Sequence, residues 1–297
     1  MVPALLTTLL WSCSSVCAAR SAKLVGGSSA NLFRMLIAAI LLGIWAHNFG
    51  HGLGGAALPW FVASGLVGFG LGDVAMFAAL QRIGPRLTML LTHCIAAPLA
   101  TFTEWVWLDS KLSGSQILCA IVILAGVALA LAPDRGAVIP RKTFWVGVVF
   151  GLFSAMGQGF GSVLSRKANF AATAAGQSVD GGTAAYERIL AGIVIAFIFF
   201  LFLRKRDAKP EPGVWPKAWA WITANALAGP SIGVAVYQWG VATVDQIGIL
   251  MSIVATVPIV TQLLVWFLDG QRPTARTLLG GVVAVAGLIA LGFAKQG

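Results

Sequence analysis

The chain has 297 residues, of which 58% are hydrophobic and only 10% charged, and it carries a net charge of +10. A soluble domain has roughly a quarter charged residues, and no soluble fold of this size hides so much apolar surface behind a wettable exterior. The basic excess sits mostly at the ends of apolar runs, where Lys and Arg anchor helices in a bilayer. It therefore argues against a nucleic-acid partner, which would need a polar basic surface interleaved with aromatic side chains.

Windows of about 20 mostly apolar residues, the length that crosses a bilayer, recur ten times. They fall at 3–20, 31–47, 57–80, 86–107, 114–132, 143–165, 184–203, 216–240, 246–268 and 275–294. The first run begins at Val2 with no basic leader or cleavage motif, so it reads as a span. So abrupt a start suggests further residues upstream. This run contains Leu10-Trp11-Ser12-Cys13-Ser14-Ser15. Arg34 opens the second span, and the third carries Gly72-Asp73 and Phe77 before ending at Ile83-Gly84-Pro85, a turn signature. The fourth span holds Thr92, His93, Pro98 and Glu104 and closes on Leu108-Asp109.

In the second half, Gly157-Gln158-Gly159-Phe160-Gly161 lies within the sixth span, and Glu187-Arg188 near the head of the seventh. Tyr237 and Gln238 come in the eighth, then Ser252, Pro258 and Leu268-Asp269 in the ninth. No stretch is long enough for a soluble domain. Cys13, Cys17, Cys94 and Cys119 lie inside apolar runs and read as small core hydrophobes. His47 and His51 lack third and fourth ligands nearby and read as polar loop residues. Neither a metal nor a cofactor is expected.

The chain repeats itself. Residues 72–122 superpose on 232–282, matching Ala75 with Ala235, Pro98 with Pro258, Leu108-Asp109 with Leu268-Asp269, and Thr92 with Ser252. Arg34 falls near Arg188. Five spans per repeat is an odd number, so the second copy must enter the membrane in the opposite sense. The expected fold is therefore an all-α membrane protein, with ten transmembrane helices arranged as two inverted five-helix repeats, 1–137 and 138–297. Inverted repeats place a solute site near the midplane, where the halves meet.

These motifs, in this order and spacing over nearly the whole chain, resemble the EamA-type branch of the drug/metabolite transporter superfamily. The resemblance implies that spans one to four and six to nine surround a central cavity, with the fifth and tenth peripheral. It implies export of amino acids, metabolites, nucleotides or toxic compounds, often against protons. The chain departs from the family at two places. The usual Gly-Glu turn is replaced by Asp109-Ser110 and Asp269-Gly270, and the first span has no acid where small relatives couple to protons.

Ionisable groups inside spans are costly, so each needs a reason. Asp73 reads either as a proton or cation site or as a carboxylate paired to Arg82 or Arg86, and its counterpart in the second half is Gly233. His93 and Glu104 lie almost three whole turns apart and so project from one face. His93 could relay protons, and Glu104 could reach interfacial water. Asp73, His93 and Glu104 are the proton-coupling candidates. Arg34, Glu187 and Arg188 read as interfacial anchors. The neutral set Ser14, Thr92, Gln158, Tyr237, Gln238 and Ser252, with Trp11 and Phe77 as cavity wall, either binds a solute or bonds helix to helix.

Most Lys and Arg fall on the face opposite the termini, so the positive-inside rule places both termini outside. The resemblance places them inside. The expected function is secondary active transport, exporting a small organic metabolite or amino acid by alternating access with proton coupling. The implied partners are a small-molecule solute and the lipid bilayer, with a homodimer left open. The expected location is a bacterial cytoplasmic (inner) membrane. The alternatives are an accessory membrane subunit or a membrane-embedded enzyme. An enzyme is not expected: no acidic cluster exists for magnesium, and Ser162 with His93 is the only loose Ser–His pair.

Overall fold

The computed structural model describes residues 2–107, 113–131, 139–204, 210–243, 247–270 and 272–294. All regular structure among these residues is helical. The first half contains α1 (Val2–Val25), α2 (Gly27–Asn48), α3 (Leu58–Gly65), α4 (Asp73–Trp107) and α5 (Gly114–Leu131). The second contains α6 (Arg141–Ala174), α7 (Gly181–Leu203), α8 (Trp215–Ala226), α9 (Ile232–Thr243), α10 (Ile247–Val254), α11 (Val257–Asp269) and α12 (Ala275–Phe293). Among the described residues, five helical stretches are long and apolar enough to cross a membrane: α1, α2, the run Leu58–Trp107, α6 and α7. The Leu108-Asp109 turn lies outside the described residues.

The run Leu58–Trp107 has 50 residues. As one straight helix it would be about 75 Å long, more than twice a bilayer's hydrocarbon thickness. Gly84 breaks it with φ 72° and ψ 174°. Positive φ suits glycine, and Pro85 bars its predecessor from helical backbone. Asp73 and His93 would stand about 30 Å apart along a continuous helix, yet both line one cavity. The chain therefore turns back at Gly84.

Both halves carry the same local irregularity. A π-helical segment, Leu66–Gly72, joins α3 to α4, and another, Leu227–Ser231, joins α8 to α9. The repeat offset maps one onto the other. Pro230 lies inside the second, where a missing N–H and a bulky ring force the wider turn. Packing obeys the repeat as well: α2 lies against α7, α5 against α12, the α3 region against α6 and α7, and the α8 region against α1 and α2.

Small residues set these contacts, as is usual between helices in lipid. A Cβ on Gly157 of α6 would stand 2.5 Å from the Gly72 Cα, so the two backbones touch there. On α5 and α12, a Cβ on Gly126 would stand 2.5 Å from Ala284 N, and one on Gly280 would stand 2.5 Å from Ala130 N. Hydroxyls on α1 tie it to the ninth apolar run. Thr8 reaches Ile253 O at 3.2 Å, Ser12 reaches Val257 O at 3.3 Å, and Ser15 meets Thr261 at 3.1 Å. That run is broken into α10 and α11 just before Pro258, whereas its first-half equivalent Pro98 sits inside the helical stretch of α4 that follows the Gly84 break.

Candidate functional site

The site is built on the third span of the first half. Phe69, Asp73 and Phe77 are four residues apart and form one stripe. Two guanidinium groups, one from each half, meet this stripe. Arg34 on α2 forms an ion pair with Asp73. Its Nε donates to Asn31 Oδ1 at 3.1 Å, and its guanidinium lies 4.9 Å from the centre of the Phe77 ring. Arg188 on α7 lies 5.1 Å from the centre of the Phe69 ring.

The two arginines are not equivalent. Arg34 has a carboxylate partner. Arg188 is only 6% exposed and has no hydrogen bond or ion pair among the described residues, and its Nε is buried without an acceptor. Glycines make room for both heads. A Cβ on Gly68 would stand 3.1 Å from Arg188 Nη2, and one on Gly229 would stand 3.3 Å from Arg34 Nη1.

These groups surround a cavity of about 70 Å³ between the two halves. Of the side chains expected at a site, Trp11, Ser14, Asp73, Thr92, His93 and Gln158 line it. Arg34 and Arg188 line it as well. Trp11 stacks on His93 at 5.5 Å and leans on Tyr237 at 5.0 Å, measured between ring centres. Thr92 donates to Ser154 at 3.0 Å, and Ser14 donates to Asn225 at 2.7 Å.

The remaining expected residues lie elsewhere. Phe77 is buried beneath Arg34 and does not face the cavity. Tyr237 bonds to Ser162 at 2.9 Å, and Gln238 donates to Ser165 at 3.3 Å, so both join helices behind the wall. Glu104 stands 3.7 Å from Arg166, away from the cavity. Ser252 lies on α10, but its side chain is outside the described residues. Ser162 bonds to Tyr237 and to the Gln158 carbonyl rather than to His93.

Three expectations need correction. Arg34 and Arg188 are not interfacial anchors. The helices α2 and α7 begin several residues before the apolar windows, at Gly27 and Gly181, which carries each arginine about two turns inward. Glu187 is not an anchor either: it is 1% exposed and accepts from Gly54 N at 3.1 Å. The partner of Asp73 is Arg34, not Arg82 or Arg86, and Arg82 donates to its own helix at Ala78 O. One sequence signal could have found the arginines: they fall at matching places in the two repeats.

The head of α7 is fastened separately. Asp180 caps the helix, accepting from Gly182 N at 2.9 Å, Thr183 N at 3.0 Å and Trp45 Nε1 at 2.8 Å. Burial pushes its carboxyl up, but bonds from Thr183, Trp45 and Gly182 outweigh this and hold it below the usual carboxylate range. Ala56 N donates to Gln177 Oε1 at 2.9 Å, so the loop after α2 is tied down beside the cap.

A family profile described as the EamA-like transporter family matches residues 1–132 and again 145–293. The chain belongs to the EamA-like transporter family. The two matches, end to end, make it a two-repeat member and therefore a multi-pass membrane protein of the transporter class. A solved crystal structure has the same fold, with TM-score 0.66 and 19% identity over 97% of this chain and 94% of that one. No curated protein matches the chain in sequence.

Proposed function

We propose that this EamA-family chain is a secondary active transporter that exports a small organic metabolite or amino acid by alternating access, and that it is not an enzyme. Ten crossings in two inverted repeats, 1–137 and 138–297, would carry the chain through a bacterial cytoplasmic membrane. The observation that carries this reading is the cavity between the halves, into which each half contributes one buried arginine. A small polar chamber at a repeat interface is where rocking of one half against the other exposes a solute to each side in turn.

Asp73 and His93 are the coupling groups in this reading. Both face the cavity, and Asp73 already holds a cation through Arg34. Protonating Asp73 would free Arg34, so a proton and a change in cavity charge become one event. Glu104, held by Arg166, is left out of this step. The test is flux in proteoliposomes across a broad metabolite panel, with and without a pH gradient. Movement of a solute, accelerated by the gradient and no longer accelerated in Asp73→Asn, is the expected result. Absence of movement for every solute would overturn the transporter reading; gradient-driven flux that survives Asp73→Asn would remove that residue from coupling.

A further inference from the structure

The cavity holds two guanidinium groups and one carboxylate on its wall. Arg34 and Asp73 neutralise each other. Arg188 carries its charge at neutral pH, and a buried cation with no hydrogen-bonded carboxylate of its own is held at a desolvation penalty. Phe69 gives one face of the guanidinium a π cloud, while no oxygen acceptor among the described residues meets its N–H groups. The cavity as built is one negative charge short.

We propose that Arg188 is the binding group for a small organic monocarboxylate, whose two oxygens take the fork of N–H donors that the protein leaves unmet. The charge count favours one negative charge over two. Trp11, Phe69, Met76, Met89 and Val234 line the same cavity and suit a hydrocarbon body better than a second anionic head. The small volume, about 70 Å³, fits a body of a few carbons. The proposal names the substrate class of the transporter reading. It rests on that reading for passage of the solute across the membrane, though not for binding itself.

The test uses the full-length protein in detergent, with isobutyrate and benzoate, each compared with its own amide at fixed ionic strength. Inorganic phosphate is a further arm. The carboxylates should raise the melting temperature in a concentration-dependent way, and the amides should not. In Arg188→Gln the apparent affinity should fall about ten- to hundredfold, the loss of a charged hydrogen-bond partner. Arg188→Lys should recover part of it. Equal shifts for acid and amide, or a shift larger for phosphate, would overturn the monocarboxylate assignment. The acid–amide comparison needs no variant, so the proposal stays exposed even if Arg188→Gln fails to fold.

Flux of the same solutes in proteoliposomes separates the two readings. Acid-specific binding without flux keeps the carboxylate site and removes transport. Flux of amides or cations that ignores Arg188 keeps transport and removes the site. No binding and no flux removes both.

Discussion

The two halves differ most at one stripe of the third span in each repeat. In the first half it reads Phe69, Asp73 and Phe77; at the repeat offset the second half reads Gly229, Gly233 and Tyr237. The first stripe gives an arginine from each half an aromatic face, and Arg34 also gains an acid. The second stripe is largely emptied of side chains. A Cβ on Gly233 would stand 2.7 Å from Trp11 Cδ1, so the indole fills the space that its counterpart gives to a carboxylate. The two repeats each supply an arginine, and the difference in bulk between the stripes gives the two arginines different partners.

Arginine exchange should break this comparison most sharply. Arg34→Gln strands the Asp73 charge in a buried site and should lower unfolding free energy by about 3–5 kcal/mol. Arg188→Gln removes a cation that has no hydrogen-bonded or ion-paired partner among the described residues. The relief of its desolvation should outweigh the roughly 0.5–2 kcal/mol of its contact with Phe69. Its ligand-free stability should therefore be unchanged or higher. Denaturant titration of both variants checks this, and equal losses would mean the arginines are equivalent after all.

A smaller effect is expected in the second stripe. A Cβ added by Gly233→Ala would meet the Ala228 carbonyl oxygen at 2.3 Å as well as the Trp11 ring, so backbone and ring must both shift, and stability should fall by about 1–3 kcal/mol, as overpacking does. It should also disturb the stacking of Trp11 on His93. Denaturant titration serves here too, and a variant as stable as the parent would show that the indole is loosely held.

The smallest effect lies outside the cavity. Asp180→Asn should lower stability at neutral pH by about 1 kcal/mol, the scale of a helix cap. Because the folded carboxyl sits below its usual range, its contribution is complete above the unfolded value near 3.9 and is lost as pH falls through the lower folded value. The gap between parent and variant should therefore close in strong acid. A gap that stays constant with pH would mean that the capping bonds need no charge.

The helices were legible because twenty-residue apolar runs leave little else to be. The repeat was legible because Pro98 with Pro258 and Leu108-Asp109 with Leu268-Asp269 stand out from apolar background. Asp73 and His93 were legible as cavity groups because ionisable side chains are rare in such runs. Arg34 and Arg188 were misread because an arginine near the edge of an apolar window looks the same whether the helix begins there or two turns earlier. The π-helical segments left no periodic trace. Phe77 was placed on the wall by residue type and Tyr237 was left between solute binding and helix bonding, and only packing showed that Phe77 lies under Arg34 while Tyr237 bonds to Ser162 behind Trp11.

The contact of α5 with α12 has a mechanical meaning. Gly126 and Ala130 face Gly280 and Ala284 almost backbone to backbone, while Ile123 and Val122 pack over Gly287, so small residues let the two helices approach closely along that seam. Two smooth cylinders pressed together resist being pulled apart, yet offer few teeth against slipping. The seam joins one half to the other, and none of its residues lines the cavity. In the alternating-access reading proposed above, it would act as a bearing, keeping the halves in register while the rest of the molecule moves around it.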